Sequence, residues 1–267
     1  DSYPSTNCEL WRIIGVFDGK IKLMRNSTIG EYSWDTSASS VNSGSGVNEW
    51  SQADLMKLLN PGHESESVGG SLYYSSKSGE TCYSGQSNAT TSCNFTSTGI
   101  KNDTTRNMIA ETTWNLGGWN SSDIFSNVMY EKERGATTVS NSSDGITRAT
   151  TWTGKIALPY PSDYGFATDL SKCSQTLSNY YSSTDSYACR SNDWMYSIFK
   201  TNTFNWLLTP LSGNANNAFN VYSAGYVNKN TSVYGANGVA PVLYLGSDQD
   251  IVAGDGSQSK PYQLANS

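Results

Sequence analysis

Short apolar segments separated by turn residues limit the possible folds of this 267-residue chain more than any other feature of its sequence. In the second half they lie at 152–158, 204–208, 218–222, 225–228 and 239–245, with Gly, Asn or Pro between or after them. Strands of this length at short intervals are typical of antiparallel sheets joined by tight turns. The pattern therefore predicts a meander of antiparallel strands in the second half of the chain.

The first half carries hairpin and helix signals. Apolar residues at 10–16 and 21–24 flank the pair Asp18-Gly19, which is a strong signal for a β-hairpin. Apolar residues at helical spacing, together with capping residues, predict three helices. These are 52–59 after Ser51, 104–112 after Asp103, and 122–133. We therefore expect one α+β domain over 1–267, with a small antiparallel sheet, two or three helices and long polar loops.

The composition excludes several classes of protein. Charged residues make up 15% of the chain and the net charge is −6, whereas a nucleic-acid-binding protein needs a basic face. Eight Trp and 17 Tyr argue against disorder. No run approaches the roughly 18 apolar residues of a membrane-spanning helix. His63 is the single histidine, so we expect neither a His-based metal site nor a Ser-His-Asp triad.

The cysteines indicate the compartment. Cys82 and Cys93 flank one short polar loop, and Cys173 and Cys189 flank another. Two local disulfides are the simplest interpretation, and they imply an oxidising environment outside the cytoplasm. Five free thiols in a reducing compartment are the alternative. Cys8 is left over by the local pairing and would need a partner elsewhere.

No motif for catalysis or cofactor binding is present. The chain has no Gly-x-Ser-x-Gly elbow, no Cys-x-x-Cys pair and no phosphate-binding loop. The acids Asp248, Asp250 and Asp255 have apolar Val252 among them, which is typical of a solvated turn rather than of a calcium loop. Two carboxylates for glycoside hydrolysis can come from distant parts of a chain, but no pair stands out. We therefore expect no enzyme activity, no metal and no cofactor.

The most informative stretch is 205–245. Its two ends are apolar, and its middle is dense in Asn, Tyr, Ser and Gly, as in surfaces that recognise ligands. A merely polar hairpin face is the alternative. Strand alternation predicts that Asn220 and Tyr222 face solvent while Phe219 and Val221 face the core; Trp206, Val242 and Tyr244 are also expected in or near the core. The predicted ligand-binding residues are Tyr196, Phe199, Asn202, Asn214, Asn216, Asn217, Asn220, Tyr222, Tyr226, Asn228, Asn230 and Tyr234.

Several segments resemble bacterial surface proteins with a C-type-lectin-like fold. They are LWRIIGVFDGKIKLM near the start, NEWSQADL at 48–55, WNLGGWN at 114–120, WLLTP at 206–210 and GVAPVLYL at 238–245. The group includes pilin-like proteins of gut bacteria, and the last segments resemble the variable proteins of diversity-generating retroelements. In those proteins, template-driven substitutions form a binding face on an invariant scaffold. The chain has no Glu-Pro-Asn or Gln-Pro-Asp triplet, so calcium-dependent sugar binding is not implied.

The resemblance implies a function and a location. It implies an extracellular, adhesin-type ligand-binding domain on a bacterial surface or pilus, with a diversified binding face. Its partner would be a protein or glycan on another cell or phage, and not a nucleic acid. Residues 1–8 would lead in from a preceding segment that anchors it in the membrane, and 246–267 would form a tail packed on the domain. The alternatives are an enzyme of the same fold, similar to sulfatase-activating enzymes, and a structural pilin subunit whose face serves assembly.

Overall fold

The fold was determined from a computed structural model, which describes residues 9–37, 46–60, 78–83, 90–94, 105, 107–120, 124–134, 144–173, 184–246 and 248–265. It is a mixed α+β structure in which most strands belong to small, mainly antiparallel sheets. Within these ranges, no helix is long and apolar enough to cross a membrane.

Fifteen strands lie in the described part of the chain. They are β1 (Trp11–Phe17), β2 (Lys20–Arg25), β3 (Glu31–Ser33), β4 (Ser78–Tyr83), β5 (Thr90–Asn94), β6 (Thr112–Asn115), β7 (Thr151–Gly154), β8 (Ile156–Ala157), β9 (Phe204–Pro210), β10 (Asn217–Tyr222), β11 (Val227–Ser232), β12 (Ala236–Gly238), β13 (Val242–Leu245), β14 (Ile251–Ala253) and β15 (Gln263–Leu264). The helices are α1 (Asp54–Leu59), α2 (Ser126–Arg134), α3 (Pro161–Phe166), α4 (Thr184–Ser191) and α5 (Tyr196–Phe199), and a short 3-10 helix spans Trp50–Gln52.

The first sheet begins with the predicted hairpin, which the structure confirms. Its four strands are ordered β1-β2-β13-β8, and all neighbours are antiparallel. The turn between β1 and β2 places Asp18 at φ 50° and Gly19 at φ 74°. Both values lie in the left-handed region, where Gly and Asp are tolerated, and such a turn matches the twist of a two-residue hairpin.

The second sheet has five strands in the order β11-β10-β9-β12-β3. Strands β9, β10 and β11 form an antiparallel meander, as the turn pattern predicts. The prediction was wrong for the end of that segment. Strand β12 pairs with β9 in parallel through Gly238 and Asn205, and β13 joins the first sheet beside β2. The stretch 239–245 therefore connects the two sheets instead of extending the meander.

The core is built around buried tryptophans. Trp34 contacts Trp50 and Trp206 edge-to-face, with ring centroids 5.3 and 5.8 Å apart, an arrangement that aromatic quadrupoles favour. Trp50 contacts Trp152 in the same way at 6.1 Å. Trp206, Val242 and Tyr244 are all buried, which confirms their predicted place in the core.

The predicted helices agree with the structure to different degrees. The first begins at Asp54, because Ser51 lies inside the preceding 3-10 helix, whose cap is Glu49. The third occupies Ser126–Arg134. The second is wrong over its last residues. Thr112 begins β6, which pairs with β7, and its β-branched and aromatic sequence favours a strand over a helix.

One of the two predicted disulfides is confirmed. Cys173 and Cys189 form the predicted disulfide, with Cα atoms 4.8 Å apart. Closing a loop of this size stabilises a fold by about 3 kcal/mol. Cys82 lies on β4 and Cys93 on β5, where the backbone pairs them with Thr91 and Glu80. Their side chains, and all of Cys8, lie outside the described part of the chain.

In the tail, β14 and β15 form a hairpin from which Leu264 packs on the core while Ile251 and Val252 are exposed.

Candidate ligand-binding face

The second sheet separates the predicted ligand-binding residues into two groups. Antiparallel pairing sets Tyr222 beside Phe204 at one end of β10 and Asn217 beside Ser232 at the other. With a rise of about 3.4 Å per residue, the two ends of this strand lie roughly 17 Å apart. We call Phe204, Tyr222 and Tyr226 the tyrosine end. We call Asn214, Asn216, Asn217 and Tyr234 the asparagine end.

The tyrosine end is a row of three half-buried aromatic rings. The centroids of Phe204 and Tyr222 lie 5.0 Å apart, and those of Tyr222 and Tyr226 lie 5.1 Å apart. Asn228, opposite Asn220 on the edge strand β11, is also half-buried. Phe204 was not among the predicted site residues. Its position as the cross-strand partner of Tyr222 is the signal that would have identified it.

Three side chains from outside the sheet hold the turn that follows Tyr222. The hydroxyl of Tyr164 donates to the Gly225 carbonyl at 2.7 Å, and Arg190 Nη1 donates to the Ala224 carbonyl at 2.8 Å. The hydroxyl of Tyr196 donates to the Ser223 carbonyl at 2.9 Å. Each consecutive carbonyl of the turn thus has its own donor, one each from α3, α4 and α5. We call these three bonds the turn clamp.

Gly225 is required by this arrangement. Its φ is +97°, a conformation that side-chain-bearing residues rarely adopt. A Cβ atom added there would lie 2.9 Å from Arg190 Cβ. The helix that supplies Arg190 therefore packs directly against the glycine backbone.

The helices that supply the clamp are themselves held in place. The Cys173–Cys189 disulfide ties α4 to the segment after α3. Asp193 holds the start of α5, because its Oδ1 accepts from the amides of Met195 at 2.8 Å and Tyr196 at 3.1 Å. Its Oδ2 accepts from Thr168 Oγ1 at 3.0 Å. Burial raises the pKa of Asp193 to about 7, against the lowering effect of these hydrogen bonds.

The asparagine end is organised by buried polar groups from the first half of the chain. Asn48 Nδ2 donates to the carbonyls of Asn214 at 2.9 Å and Asn217 at 2.8 Å. Arg148 Nη2 donates to the Ala215 carbonyl at 2.7 Å, and its guanidinium pairs with buried Asp144 at 2.7 Å. These contacts hold the backbone of the β9–β10 loop against the body of the protein.

Several asparagine side chains in the predicted set serve local turns. Asn214 Oδ1 accepts from the Asn216 amide at 2.8 Å, and Asn228 Oδ1 accepts from the Asn230 amide at 3.2 Å. Such bonds to the amide two residues on are a general reason for Asn in turns. Asn202, two residues before Phe204, donates from its Nδ2 to Glu31 at 3.0 Å.

Two predicted site residues are core residues instead. Asn220 and Phe199 are both fully buried, 0% exposed. Strand alternation exposes a side chain only where one face of the strand is open to solvent. Both faces of β10 are covered at Phe219, Asn220 and Val221. Asn220 lies on the face of its partner Trp206, which packs on Trp34, and Phe199 packs on Tyr164 at 5.8 Å. Phe219 and Val221 are buried on the other face as predicted. On the face of Asn220, Tyr222 is half-buried.

A buried ionic cluster was missed by the sequence reasoning. Lys22 pairs with Asp163, and Arg134 contacts Asp163 and Glu133, each at 3.4 Å. Burial lowers the pKa of Lys22 to about 8 and raises that of Glu133 to about 7. The cluster joins β2, α2 and α3, and its members are too far apart in sequence to form a motif. Across the described ranges, no three His, Cys, Asp or Glu side chains form a group that could hold a metal ion; His63 lies outside those ranges.

No family model, curated protein or solved structure matches this chain.

Proposed function

We propose that this chain is an extracellular ligand-binding domain of the adhesin type, with a C-type-lectin-like fold, and that it binds through the tyrosine end. The turn clamp is the observation that carries the proposal. Three side chains from three different helices fix one short turn. Fixing the turn in this way keeps the neighbouring rings of Tyr222 and Tyr226 in position to contact a partner.

The physical advantage is a lower entropic cost of binding. A tyrosine ring offers a large contact area with only two side-chain torsions. When its backbone is already fixed, less conformational freedom is lost on association. The rings of Phe204, Tyr222 and Tyr226 also contact one another, which restricts their rotamers before a ligand arrives. The domain would bind without performing chemistry, and without a metal or cofactor.

The partner and the setting belong to the same proposal. We propose a protein or glycan ligand on another cell or phage, with the domain displayed on a bacterial surface or pilus. The Cys173–Cys189 disulfide supports an oxidising location. A diversified face would vary at the half-buried positions Tyr222, Tyr226 and Asn228, while Phe199 and Asn220 would stay constant because they are buried.

Binding arrays test the proposal. The labelled full chain and its variants Tyr222→Ala and Tyr226→Ala are applied to a printed glycan array and to arrayed intact bacteria and phage. Tyr262→Ala is the control, because Tyr262 is an exposed tyrosine outside the second sheet. We expect wild type and control to bind a common subset of spots. Truncating a hot-spot tyrosine costs about 2 kcal/mol or more, so both test variants should lose roughly 30-fold in affinity. Equal binding by all four proteins would refute the proposal.

Sequencing the gene region from many cells of one population tests diversification. Substitutions should cluster at Tyr222, Tyr226 and Asn228 and spare Phe199 and Asn220. Substitutions spread evenly over buried and exposed codons would contradict a selected binding face.

A further inference from the structure

A cavity of about 330 Å³ lies beside the first sheet and shares no lining residue with the tyrosine end. Its volume is at the lower limit of the roughly 300–1,000 Å³ typical of small-molecule sites. A second cavity of about 120 Å³ shares three lining residues with it, namely Phe17, Tyr130 and Arg134. These three residues therefore form a wall that the two cavities share.

Arg134 is held rigidly at this wall. Its guanidinium lies 4.7 Å from the ring centroid of Phe17, 4.4 Å from that of Tyr130 and 4.8 Å from that of Tyr160. Nη1 donates to Glu133 Oε2 at 3.4 Å and to Ser162 Oγ at 3.1 Å, and Nη2 donates to Asp163 Oδ1 at 3.4 Å. The guanidinium is thus fixed by three rings and three acceptors, with 18% of the side chain exposed.

Two of its five N–H donors have no acceptor within the described part of the chain. The three bonds above engage both hydrogens of Nη1 and one of Nη2, which leaves Nε–H and the other Nη2–H. Together these two atoms form one edge of the planar fork, and that edge matches the two oxygens of a carboxylate. The side chain is 18% exposed and this edge is not buried, so an anion with paired oxygens can reach it.

The rest of the lining favours a ring that carries hydroxyl groups. The aromatic part that a ligand can reach includes Phe17, which is half-buried, and Tyr130, which is exposed. The polar part includes Thr112, Thr113 and Asn115. Aromatic faces pack against the C–H faces of a sugar, while hydroxyl and amide groups exchange hydrogen bonds with its hydroxyls.

The charges around the cavity favour a single negative charge on the ligand. Among the described lining residues, Lys20 and Arg134 are basic and Asp18 is acidic. Lys22 lies behind the aromatic wall, 4.6 Å from the ring centroid of Tyr160. The raised pKa of Glu133, to about 7, means that this buried acid carries only part of a charge near neutral pH. The surroundings of Arg134 are therefore not fully neutralised by its own acids.

We propose that this cavity binds one acidic sugar residue, such as a uronic acid. Its carboxylate accepts hydrogen bonds from Arg134 Nε and Nη2, and its ring packs on the wall formed by Phe17 and Tyr130. The site is separate from the tyrosine end and does not depend on the function proposed for it.

Titration with sodium D-galacturonate, followed by calorimetry and tryptophan fluorescence, tests the site. The full chain is compared in D-galactose, sodium acetate and sodium benzoate at matched ionic strength. We expect saturable binding of galacturonate that is at least tenfold tighter than that of the other three compounds. If galactose bound as tightly as galacturonate, the carboxylate would contribute nothing to affinity. If acetate or benzoate bound as tightly, the sugar ring would contribute nothing. An absence of saturation at tens of millimolar galacturonate would overturn the site.

Variants locate the binding. Arg134→Lys keeps the charge but loses the planar fork, so affinity should fall at least tenfold. Because Arg134 is largely buried, Lys20→Glu on the half-buried hairpin strand is a second test that spares the cluster, and it should weaken binding several-fold. Lys260→Glu makes the same charge change in the tail and should have no effect. Tyr222→Ala should also bind galacturonate normally, so the outcome here is independent of the array experiment. Unchanged affinity in both Arg134→Lys and Lys20→Glu would contradict the proposed site.

Discussion

At both ends of the second sheet, side chains from elsewhere in the chain donate to backbone carbonyls, and the two ends differ in what their own side chains do. At the tyrosine end, side chains from outside the sheet bind the backbone carbonyls of the turn, and the ring surfaces of Phe204, Tyr222 and Tyr226 remain half-exposed. At the asparagine end, the Asn214 side chain bonds to its own turn, and buried Asn48 and Arg148 hold the loop. Asn and Tyr enrichment therefore has two physical causes, and only the geometry separates them.

The largest expected effect is at the asparagine end. Arg148→Ala removes the partner of Asp144, whose side chain is fully buried. Breaking a buried ion pair from one side costs about 3–5 kcal/mol, so the free energy of unfolding should fall by this amount in urea denaturation. The double variant Arg148→Met/Asp144→Leu should be less destabilised than Arg148→Ala, because no charge is left unpaired. A loss below about 1 kcal/mol in Arg148→Ala would show that the loop does not depend on this pair.

Asp193 at the start of α5 should make stability depend on pH. The pKa of Asp193 is raised from 3.8 to about 7 in the folded protein, so its contribution to stability is fully present below pH 4 and is lost as the pH rises through 7. Asp193→Asn keeps an acceptor for the α5 amides but does not titrate. The free energy of unfolding of wild type minus that of the variant should therefore fall between about pH 4 and 8, by about 4 kcal/mol, and then stay constant.

The control for this titration is Asp250→Asn, which removes an exposed carboxylate outside the sheet. Its difference from wild type should vary little over the same range. A difference for Asp193→Asn that is flat or that rises with pH would mean that the folded protein favours the charged carboxylate.

Two glycines allow the turns to be compared directly. Gly225→Ala in the turn of the tyrosine end combines φ +97° with a close approach to Arg190, and such strain costs of order 1–3 kcal/mol. Gly235→Ala lies in the turn after β11, where an added Cβ would meet Ser232 at an ordinary 3.4 Å. Thermal or chemical denaturation should show a loss only for Gly225→Ala. Equal stability of the two variants would mean that the clamped turn has freedom to relax.

The smallest expected effect comes from a single hydroxyl of the clamp. Tyr196→Phe removes the bond to the Ser223 carbonyl and should cost about 1 kcal/mol. Tyr222→Phe is the matched control, because the Tyr222 ring contacts are kept, and it should stay within about 0.5 kcal/mol. Denaturant midpoints measure both. If Tyr196→Phe is as stable as Tyr222→Phe, then the hydrogen bond from Tyr196 to the Ser223 carbonyl is no more favourable than a hydrogen bond from water.

Sequence alone predicts what is decided locally. The β1–β2 hairpin follows from Asp18-Gly19 between apolar runs, and the β9–β11 meander follows from its turns. The burial of Trp206, Val242 and Tyr244 follows from their apolar character. The burial of Asn220 could not be predicted, because Trp34, which packs on its cross-strand partner Trp206, comes from a distant part of the chain. The clamp and the ionic cluster were missed for the same reason, since Tyr164 and Gly225 lie 61 residues apart in the chain.

The most direct test of the account compares the two ends in one binding experiment. The double variants Tyr222→Ala/Tyr226→Ala and Asn214→Ala/Asn216→Ala are titrated, beside wild type, with whichever arrayed glycan, bacterium or phage the wild type binds. The account predicts that the tyrosine pair loses nearly all affinity, and that the asparagine pair binds within about threefold of wild type, as expected away from a hot spot, with both variants folded by circular dichroism. Loss of binding in the asparagine pair, with normal binding in the tyrosine pair, would contradict it.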